Sequence, residues 1–506
     1  MLKIALIDLD YANEELNEPL GIESLAASLE ILGKENVIVK MACLQIPGTD
    51  YRPLLSDFKP HIIGLSTKIG SLCRIGEIIA YAKGLAPERP PLVVLGGPLA
   101  TLEAEALLGR FEKAICIIGE GEETWVALAR FWLGTFGEEM EPKNIIEAGI
   151  TNLALKLNDR VVRTRRKVIH DLGILPLPRR DFLPDIVSRR GLVRAETSRG
   201  CPWNRCSFCI LEAKYAGEGW RPFEPGRVVR DLENLSDLGA DLVYFTDEEF
   251  VAGGFERVYE ICSLLGKAKK LGTVNPKMKF YASAGVRAIL GKRKGEDTAK
   301  LLRALREAGF LGFFIGLESG SRTQLARYGK GVTVAENHSV IRAFKESGLE
   351  LDLGFIMFDP KTTLEELIEN LIFLNKADLL GHDSSFTKRM RVWPGTRVFE
   401  RVVKDYHGNF VYEPGSEGPY LPFKDWKVES VFQAFKLWEE WQRKKINKLQ
   451  GDARGLALEA DRIQLKREIG RVRARGLSLL CDLVEAVQKA TGPEKTPFKV
   501  DLTLTF

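Results

Sequence analysis

The stretch Cys201-Pro202-Trp203-Asn204-Arg205-Cys206-Ser207-Phe208-Cys209 places three thiols within nine residues. Four residues separate the first two cysteines and two separate the last two, so the three sulfur atoms can converge on one metal centre. Three thiolates leave one corner of a cubane iron–sulfur cluster open, whereas clusters held entirely by protein take four cysteines. Zinc normally takes four N or S ligands, or three and a water, and no histidine lies near these cysteines in the sequence.

This pattern resembles the radical S-adenosylmethionine superfamily, in which three closely spaced cysteines, with an aromatic residue before the last, hold a 4Fe-4S cluster. The resemblance implies that Cys201, Cys206 and Cys209 bind three irons, with Phe208 beside the cofactor. The fourth iron would bind the amino and carboxylate groups of S-adenosylmethionine. The usual first gap in the family is three residues, and here it is four. A structural zinc site or three unrelated thiols are the alternatives.

The whole chain has the composition of a globular protein. Its 506 residues are enough for two to four domains, with 45% hydrophobic and 28% charged residues. The net charge of +4 points to no particular polyanion, and no apolar run has the length of a membrane span. Met1 leads directly into a strand-like segment, so we expect no signal peptide. The remaining cysteines are predicted to be buried thiols in a reducing cytoplasm: Cys43, Cys73, Cys116, Cys262 and Cys481.

The first 133 residues alternate short apolar strands with amphipathic helices. This alternation predicts an α/β, flavodoxin-like (Rossmann-type) parallel sheet that is covered on both faces. Such sheets bind ligands at the carboxyl ends of their strands. Three loops are predicted at those ends, namely Ser66-Thr67, Gly96-Gly97-Pro98 and Gly119-Glu120-Gly121-Glu122. The predicted strands cover residues 2–8, 37–41, 60–66, 91–98 and 114–118.

The strand plan and the two glycine turns resemble the cobalamin-binding domain that precedes many radical S-adenosylmethionine barrels. Glycines there let the backbone approach a large flat corrin. The Asp-x-His-x-x-Gly signature of the cobalt-ligating subgroup is missing, so bound cobalamin should lack a histidine ligand. The alternative is a domain without a ligand that shields the barrel. The resemblance assigns to cobalamin Ser66, Thr67, Gly96, Gly97, Pro98, Gly119 and Glu120.

Residues 134–190 are predicted to form a connector without a core of its own. It contains hairpin-like strands at 153–157 and 160–163, followed by a proline-rich extended stretch. Residues 191–400 repeat strand and helix, and resemble the partial six-unit (β/α)6 TIM-type barrel of the superfamily. Barrels of this kind place their sites at the carboxyl ends of the strands.

Polar residues follow the predicted barrel strands. The resemblance implies that Asp247-Glu248-Glu249 contacts the methionine ammonium through charge-assisted hydrogen bonds. Glu318 would approach the ribose hydroxyls or the methionine, Ser283 would donate to its carboxylate, and Met357 would line the adenine pocket. Any one acidic residue at a strand end is often only a helix cap.

Residues 401–506 are predicted to form a lid and a helical C-terminal domain. Residues 409–422 are rich in glycine, proline and aromatic residues, which suits a lid, and residues 428–490 have apolar residues at helical spacing. This tail is basic, but charge runs on helices are usually solvated faces, so contact with RNA is the less favoured interpretation. The RNA-modifying methylthiotransferases of the superfamily carry extra N-terminal cluster cysteines that this chain lacks.

The resemblance therefore implies reductive cleavage of S-adenosylmethionine at a 4Fe-4S cluster, which starts radical chemistry on a small molecule. Cobalamin-dependent C-methylation is the leading function. Radical cyclisation or rearrangement fits the same motifs, and a non-catalytic iron–sulfur or cobalamin sensor is the rival class. We expect a small-molecule substrate, an electron donor such as flavodoxin or ferredoxin, and neither nucleic acid nor membrane as a partner. The sequence identifies neither the substrate nor a catalytic residue that acts on it.

Overall fold

The computed structural model describes residues 1–9, 16–138, 140–291, 295–407, 410–416, 418–419, 421–453, 459–490 and 492. The chain divides into two compact units, Met1–Ala282 with Val392–Pro419, and Ser283–Arg391 with Tyr420–Phe506. Parts of the predicted lid (409, 417 and 420) and of the predicted C-terminal domain (454–458, 491 and 493–506) lie outside the described residues.

The first unit begins with a seven-stranded sheet whose strands are β1 Leu2–Asp8, β2 Val37–Cys43, β3 Ile62–Ser66, β4 Leu92–Gly96, β5 Ile115–Ile117, β6 Leu153–Leu157 and β7 Arg160–Arg163. Their order is β2-β1-β3-β4-β5-β6-β7, and β1 to β5 are parallel. Buried apolar clusters lie on both faces of this sheet, as its continuous apolar strands predict. The helices of this region are α1 Leu20–Leu29, α2 Arg52–Ser56, α3 Leu72–Leu85, α4 Pro98–Leu102, α5 Ala104–Arg110, α6 Glu122–Thr135 and α7 Pro142–Glu147.

The hairpin β6–β7 belongs to this sheet, although it lies within the predicted connector, residues 134–190. β6 pairs antiparallel with β5, with Leu155 opposite Ile115, and its first three residues are buried. An apolar strand in this place covers the last parallel strand, which would otherwise be an open edge. After β7 the chain has a 3-10 turn at Leu172–Ile174 and α8 Leu183–Ser188.

The rest of the first unit repeats strand and helix, as predicted for the barrel. Its strands β8 Val193–Ala195, β11 Leu242–Phe245 and β12 Lys279–Gly285 are parallel neighbours, and the chain enters the second unit within β12. The short strands β9 Ser198–Arg199 and β10 Arg221–Pro222 pair antiparallel. The helices are α9 Leu211–Lys214, α10 Pro225–Asp237 and α11 Phe255–Leu271.

The second unit contains the parallel pair β13 Phe310–Glu318 and β14 Glu350–Phe355. Its helices begin with α12 Val286–Leu290, α13 Thr298–Ala308, α14 Arg322–Tyr328, α15 Val334–Ser347 and α16 Leu364–Lys376. The chain returns to the first unit for α17 Arg397–Asp405, and then forms α18 Trp426–Ala453 and α19 Glu459–Gln488. These last two helices pack on each other, as their apolar spacing predicts.

The α/β fold, with a parallel N-terminal sheet, strand–helix repeats and a helical C-terminal extension, is thus confirmed. Of the five cysteines predicted to be buried, Cys43 and Cys116 are buried, Cys262 and Cys481 are half-buried, and Cys73 is exposed near the start of α3, so that prediction is wrong for Cys73. Across the helices that the structure describes, none is both long enough and apolar enough to span a membrane.

Candidate functional site

The three predicted cluster ligands lie in one loop between β9 and α9. Cys201, Cys206 and Cys209 are all half-buried there. The loop opens at Gly200, whose φ is 90° and whose missing Cβ would collide with the carbonyl oxygen of Gly219. Asn204 has a φ of 40°, and the N–H of Cys209 donates to the carbonyl oxygen of Cys206 at 3.2 Å. Only glycine fits at position 200, and the two turns fold the cysteine stretch back on itself.

The donor set of this loop fits a cluster better than a single ion. Within the described part of the chain, no three His, Cys, Asp or Glu side chains are placed to hold one metal ion. In a cluster each thiolate binds its own iron, so the ligands stand further apart than around one zinc. Three half-buried cysteines on a turning loop therefore suit a 4Fe-4S cluster with one open iron.

Glu248 fixes both sides of the cysteine loop. Its carboxylate accepts hydrogen bonds from the N–H of Gly200 at 3.0 Å, Lys214 Nζ at 2.8 Å and Tyr215 Oη at 3.1 Å. Burial acts to raise the pKa of Glu248, but Lys214 and the Gly200 N–H outweigh it and lower the pKa. Glu248 is therefore ionised and holds the entry and the exit of the loop together. Its predicted contact with the methionine ammonium stays a prediction.

Asp247 fastens the segment that leads to the loop. Its buried carboxylate accepts hydrogen bonds from the N–H of Thr197 at 2.9 Å, from Thr197 Oγ1 at 2.6 Å and from Ser198 Oγ at 2.5 Å. Burial raises the pKa of Asp247 to about 6. The neighbouring Glu249 is also buried, and Phe208 is half-buried in the cysteine loop.

A cavity of about 240 Å³ opens at the carboxyl ends of β3, β4 and β5. Five of the seven predicted cobalamin residues line it: Ser66, Gly96, Gly97, Gly119 and Glu120. The two others do not. Thr67 is buried, donates to the carbonyl oxygen of Gly96 at 2.7 Å and accepts from the N–H of Ala100 at 3.1 Å, and Pro98 begins α4.

Three glycines of the cavity wall pack directly against neighbouring backbone and side chains. Gly97 has a φ of 93°, and a Cβ there would lie 2.9 Å from the carbonyl oxygen of Thr67. Gly119 has a φ of 80°, and a Cβ would lie 2.7 Å from the carbonyl oxygen of Lys214. A Cβ on Gly64 would lie 2.6 Å from side-chain carbons of Leu6 and Trp125. These close approaches let bare backbone line the cavity, which suits a large flat group such as a corrin.

The wall of the cavity also includes four barrel residues that are not among the residues predicted to bind cobalamin, namely Glu196, Arg199, Lys214 and Tyr215. They lie directly before and shortly after the cysteine loop, which is the sequence signal that could have found them. Buried Arg199 binds Glu120 at 3.1 Å, Glu122 at 2.7 Å and Glu196 at 3.0 Å. Glu120 also binds Arg221 at 2.9 Å, so its carboxylate is committed to a buried ion-pair network.

Three residues predicted to bind S-adenosylmethionine belong to the second unit. Ser283, the first residue of this unit, is half-buried in β12. Glu318 ends β13 next to an irregularity in the strand pairing, with a φ of 65°, and binds Lys330 Nζ at 2.9 Å. Met357 is buried just beyond β14, and its N–H donates to the carbonyl oxygen of Lys388 at 3.0 Å.

Two family models match this chain. The model of the radical SAM superfamily matches residues 195–374, and the model of the B12 binding domain matches residues 14–129. The first match contains the cysteine loop and the second contains the glycine turns of the cavity.

Several curated proteins and solved structures are similar to this chain. The 4'-phospho-dehydrooxetanocin synthase of Priestia megaterium is 29% identical over 343 residues, which are 64% of this chain and 44% of that protein. This chain thus spans less than half of that relative. An uncharacterised methyltransferase of Pyrococcus horikoshii is 27% identical over 391 residues, 76% of this chain and 78% of that protein. The solved structure of the cobalamin-dependent S-adenosylmethionine radical enzyme OxsB, with aqua-cobalamin bound, has a TM-score of 0.82. That likeness covers 98% of this chain and 74% of OxsB at 22% identity, and shows the shared fold.

Proposed function

This chain carries a radical S-adenosylmethionine domain behind a cobalamin-binding domain, and we propose that it is an enzyme that starts radical chemistry on a small-molecule substrate. The observation that carries the proposal is the shared wall of the cavity. Gly96 and Gly119 form one part of it, and Lys214 and Tyr215, next to the cysteine loop, form another. When bound, the cluster supplies an electron that cleaves S-adenosylmethionine, and cobalamin supplies a carrier for a methyl group.

The residues of this chain hold and orient these groups. Cys201, Cys206 and Cys209 hold the cluster, and Glu248 keeps their loop closed through its bonds to Gly200 and Lys214. Glu318 accepts hydrogen bonds from the ribose hydroxyls or the methionine of S-adenosylmethionine. The remaining residues that we assign to S-adenosylmethionine are Phe208, Asp247 and Glu249 in the first unit and Ser283 and Met357 in the second.

C-methylation of the substrate is the leading reaction, because the chain has a cavity suited to a corrin beside the cysteine loop, and the relative from Pyrococcus horikoshii is described as a methyltransferase. A radical rearrangement or cyclisation is the second candidate, because the relative from Priestia megaterium is a synthase. We further propose that a flavodoxin or ferredoxin delivers the electron and that the enzyme works in the reducing cytoplasm.

Isotope labelling separates these reactions. Protein reconstituted without oxygen with iron, sulfide and cobalamin is incubated with a reductant and S-adenosylmethionine that carries a deuterated methyl group. A methyltransferase produces 5'-deoxyadenosine and S-adenosylhomocysteine, with the label recovered in the cobalamin fraction. A rearrangement enzyme produces 5'-deoxyadenosine, and no deuterated methyl group is recovered in the cobalamin fraction. A cluster-loaded protein that produces neither product contradicts the proposed function.

A further inference from the structure

Glu318 has a backbone conformation that residues with a Cβ disfavour. Its φ of 65° lies in the left-handed region, at the end of β13 and next to the irregularity after Gly316. Glycine would adopt this conformation without strain, as it does at many turns of this chain. A strained residue persists when its surroundings over-determine it, and such residues cluster at functional sites. The contacts around Glu318 must therefore hold its backbone in this conformation.

Asn337 of α15 holds the backbone on both sides of Glu318. Its Nδ2 donates to the carbonyl oxygen of Leu317 at 3.2 Å and to that of Ser319 at 3.0 Å. Asn337 is fully buried, so water does not compete for these carbonyl groups. The carbonyl oxygen of Glu318 itself accepts from the N–H of Ile356 at 2.8 Å. Three consecutive carbonyl groups are thus fixed around the strained residue.

A second buried asparagine fixes the chain that follows. Asn370 Oδ1 accepts from the N–H of Gly320 at 2.7 Å and from Ser319 Oγ at 2.8 Å. A Cβ on Gly320 would collide with the side chain of Phe373, so this backbone lies directly against α16. The segment after Glu318 is therefore prevented from relaxing toward an ordinary strand.

Lys330 orients the carboxylate of Glu318. Its Nζ lies 2.9 Å from Oε1, and the two side chains are 15% and 11% exposed. A Cβ on Gly316 would lie 2.8 Å from Lys330 Nζ, so glycine at this position leaves room for the ion pair. Because Lys330 bonds Oε1, the direction of Oε2 is set as well. A carboxylate with one oxygen fixed is suited to accept hydrogen bonds from a cofactor with the other.

We propose that Asn337 and Lys330 are positioning residues that preset Glu318 for S-adenosylmethionine. Asn337 acts through the backbone and Lys330 through the carboxylate. The inference rests on the proposed function, in which Glu318 contacts this cofactor. Preorganisation of this kind lowers the conformational cost of binding, so it strengthens affinity without a new contact.

Binding of labelled S-adenosylmethionine to the reconstituted full-length protein tests the inference. We expect Asn337→Ala and Lys330→Met each to weaken binding at least tenfold, and Lys330→Arg to stay within about threefold of wild type because it keeps the charge. Ser347→Ala, which removes a hydrogen bond at the other end of α15, is the matched control and should bind as wild type does. If wild type itself does not bind, the proposed function fails and the inference falls with it. If wild type binds and Asn337→Ala binds equally well, only the positioning role is overturned.

A stability measurement tests the backbone clamp without the cofactor. Asn337→Ala should lower the urea midpoint of unfolding in the wild-type background by more than in the Glu318→Gly background, because glycine needs no clamp to adopt this conformation. Equal losses in the two backgrounds would show that Asn337 does not act through residue 318.

Discussion

At the scale of single residues, burial keeps three cysteines outside the predicted cluster loop protonated. Burial raises the pKa of Cys43, Cys116 and Cys262 to about 12, so these thiols stay protonated. Only a thiolate binds metal well. Cys201, Cys206 and Cys209 are half-buried in one loop. Their role as cluster ligands stays a prediction from their spacing in the sequence.

We expect Cys206→Ala to lose most of the iron and sulfide of the reconstituted protein, because two thiolates do not hold a cubane. Cys73→Ala is the matched control, since Cys73 is an exposed thiol outside the loop. Iron and sulfide analysis, together with the visible absorption of the cluster, checks the result. If the Cys206→Ala variant retained a full cluster, this loop would not be the one that holds it.

Asp247 predicts a pH dependence of stability. Its pKa is raised to about 6 in the folded protein, from an ordinary value of 3.8. The folded state therefore binds this proton more tightly, and the resulting stability is present below about pH 4 and lost as the pH rises through 6. The loss is at most roughly 3 kcal/mol, at 1.36 kcal/mol per pKa unit.

Asp247→Asn does not titrate, so the stability of wild type should fall relative to this variant as the pH is raised from 4 to 7. Urea unfolding at several pH values measures the difference. Parallel profiles for the two proteins would contradict the raised pKa.

At the scale of elements, the glycine loops after the parallel strands form the cavity. Five of the seven residues predicted to bind cobalamin line this cavity, because the carboxyl ends of neighbouring parallel strands meet at one edge of the sheet. The prediction missed Arg199, Lys214 and Tyr215, because they reach the cavity from a distant part of the sequence. The hairpin β6–β7 was placed in the connector, because its pairing with β5 leaves no signal in its own residues.

Gly415 lies within the predicted lid and makes two hydrogen bonds to other parts of the first unit. Its N–H donates to Glu103 Oε2 at 2.9 Å, and its carbonyl oxygen accepts from the N–H of Gly70 at 2.9 Å. These contacts attach it to loops of the N-terminal sheet. Whether residues 409–422 cover a substrate stays a prediction.

Gly96→Leu should block the cavity and spare the fold. A Cβ at Gly96 meets nothing within 4 Å, and the residue lines the cavity, so a larger side chain projects into its open space. We expect cobalamin affinity to fall by at least a hundredfold, measured by equilibrium dialysis. Gly84→Leu, on the exposed side of α3 with nothing near its Cβ, is the control and should bind as wild type does. Equal affinities in both variants would place the corrin elsewhere.

At the scale of the whole molecule, the two family models match separate parts of the chain, residues 14–129 and 195–374. Its fold could be predicted because apolar strands and amphipathic helices alternate along the chain. The strained Glu318 and its buried asparagines could not, since φ and long-range hydrogen bonds are not encoded in a local pattern. The substrate has no motif at all, because its pocket depends on the tertiary arrangement of loops.

Cobalamin should stabilise the whole protein against heat, because a ligand that binds only the folded state adds about 2.7 kcal/mol at a hundred times its Kd. Thermal unfolding with and without excess cobalamin measures the shift in Tm. The shift should disappear in Gly96→Leu. A Tm that cobalamin leaves unchanged in wild type would contradict the assignment of the cavity.

The central claim is that three thiolates leave one iron open to S-adenosylmethionine, and electron paramagnetic resonance of the reduced, reconstituted protein tests it most directly. We predict the signal of a reduced 4Fe-4S cluster, and a clear change in its g values when S-adenosylmethionine is added. A signal that the cofactor leaves unchanged, or a protein that forms no such cluster, would contradict the account.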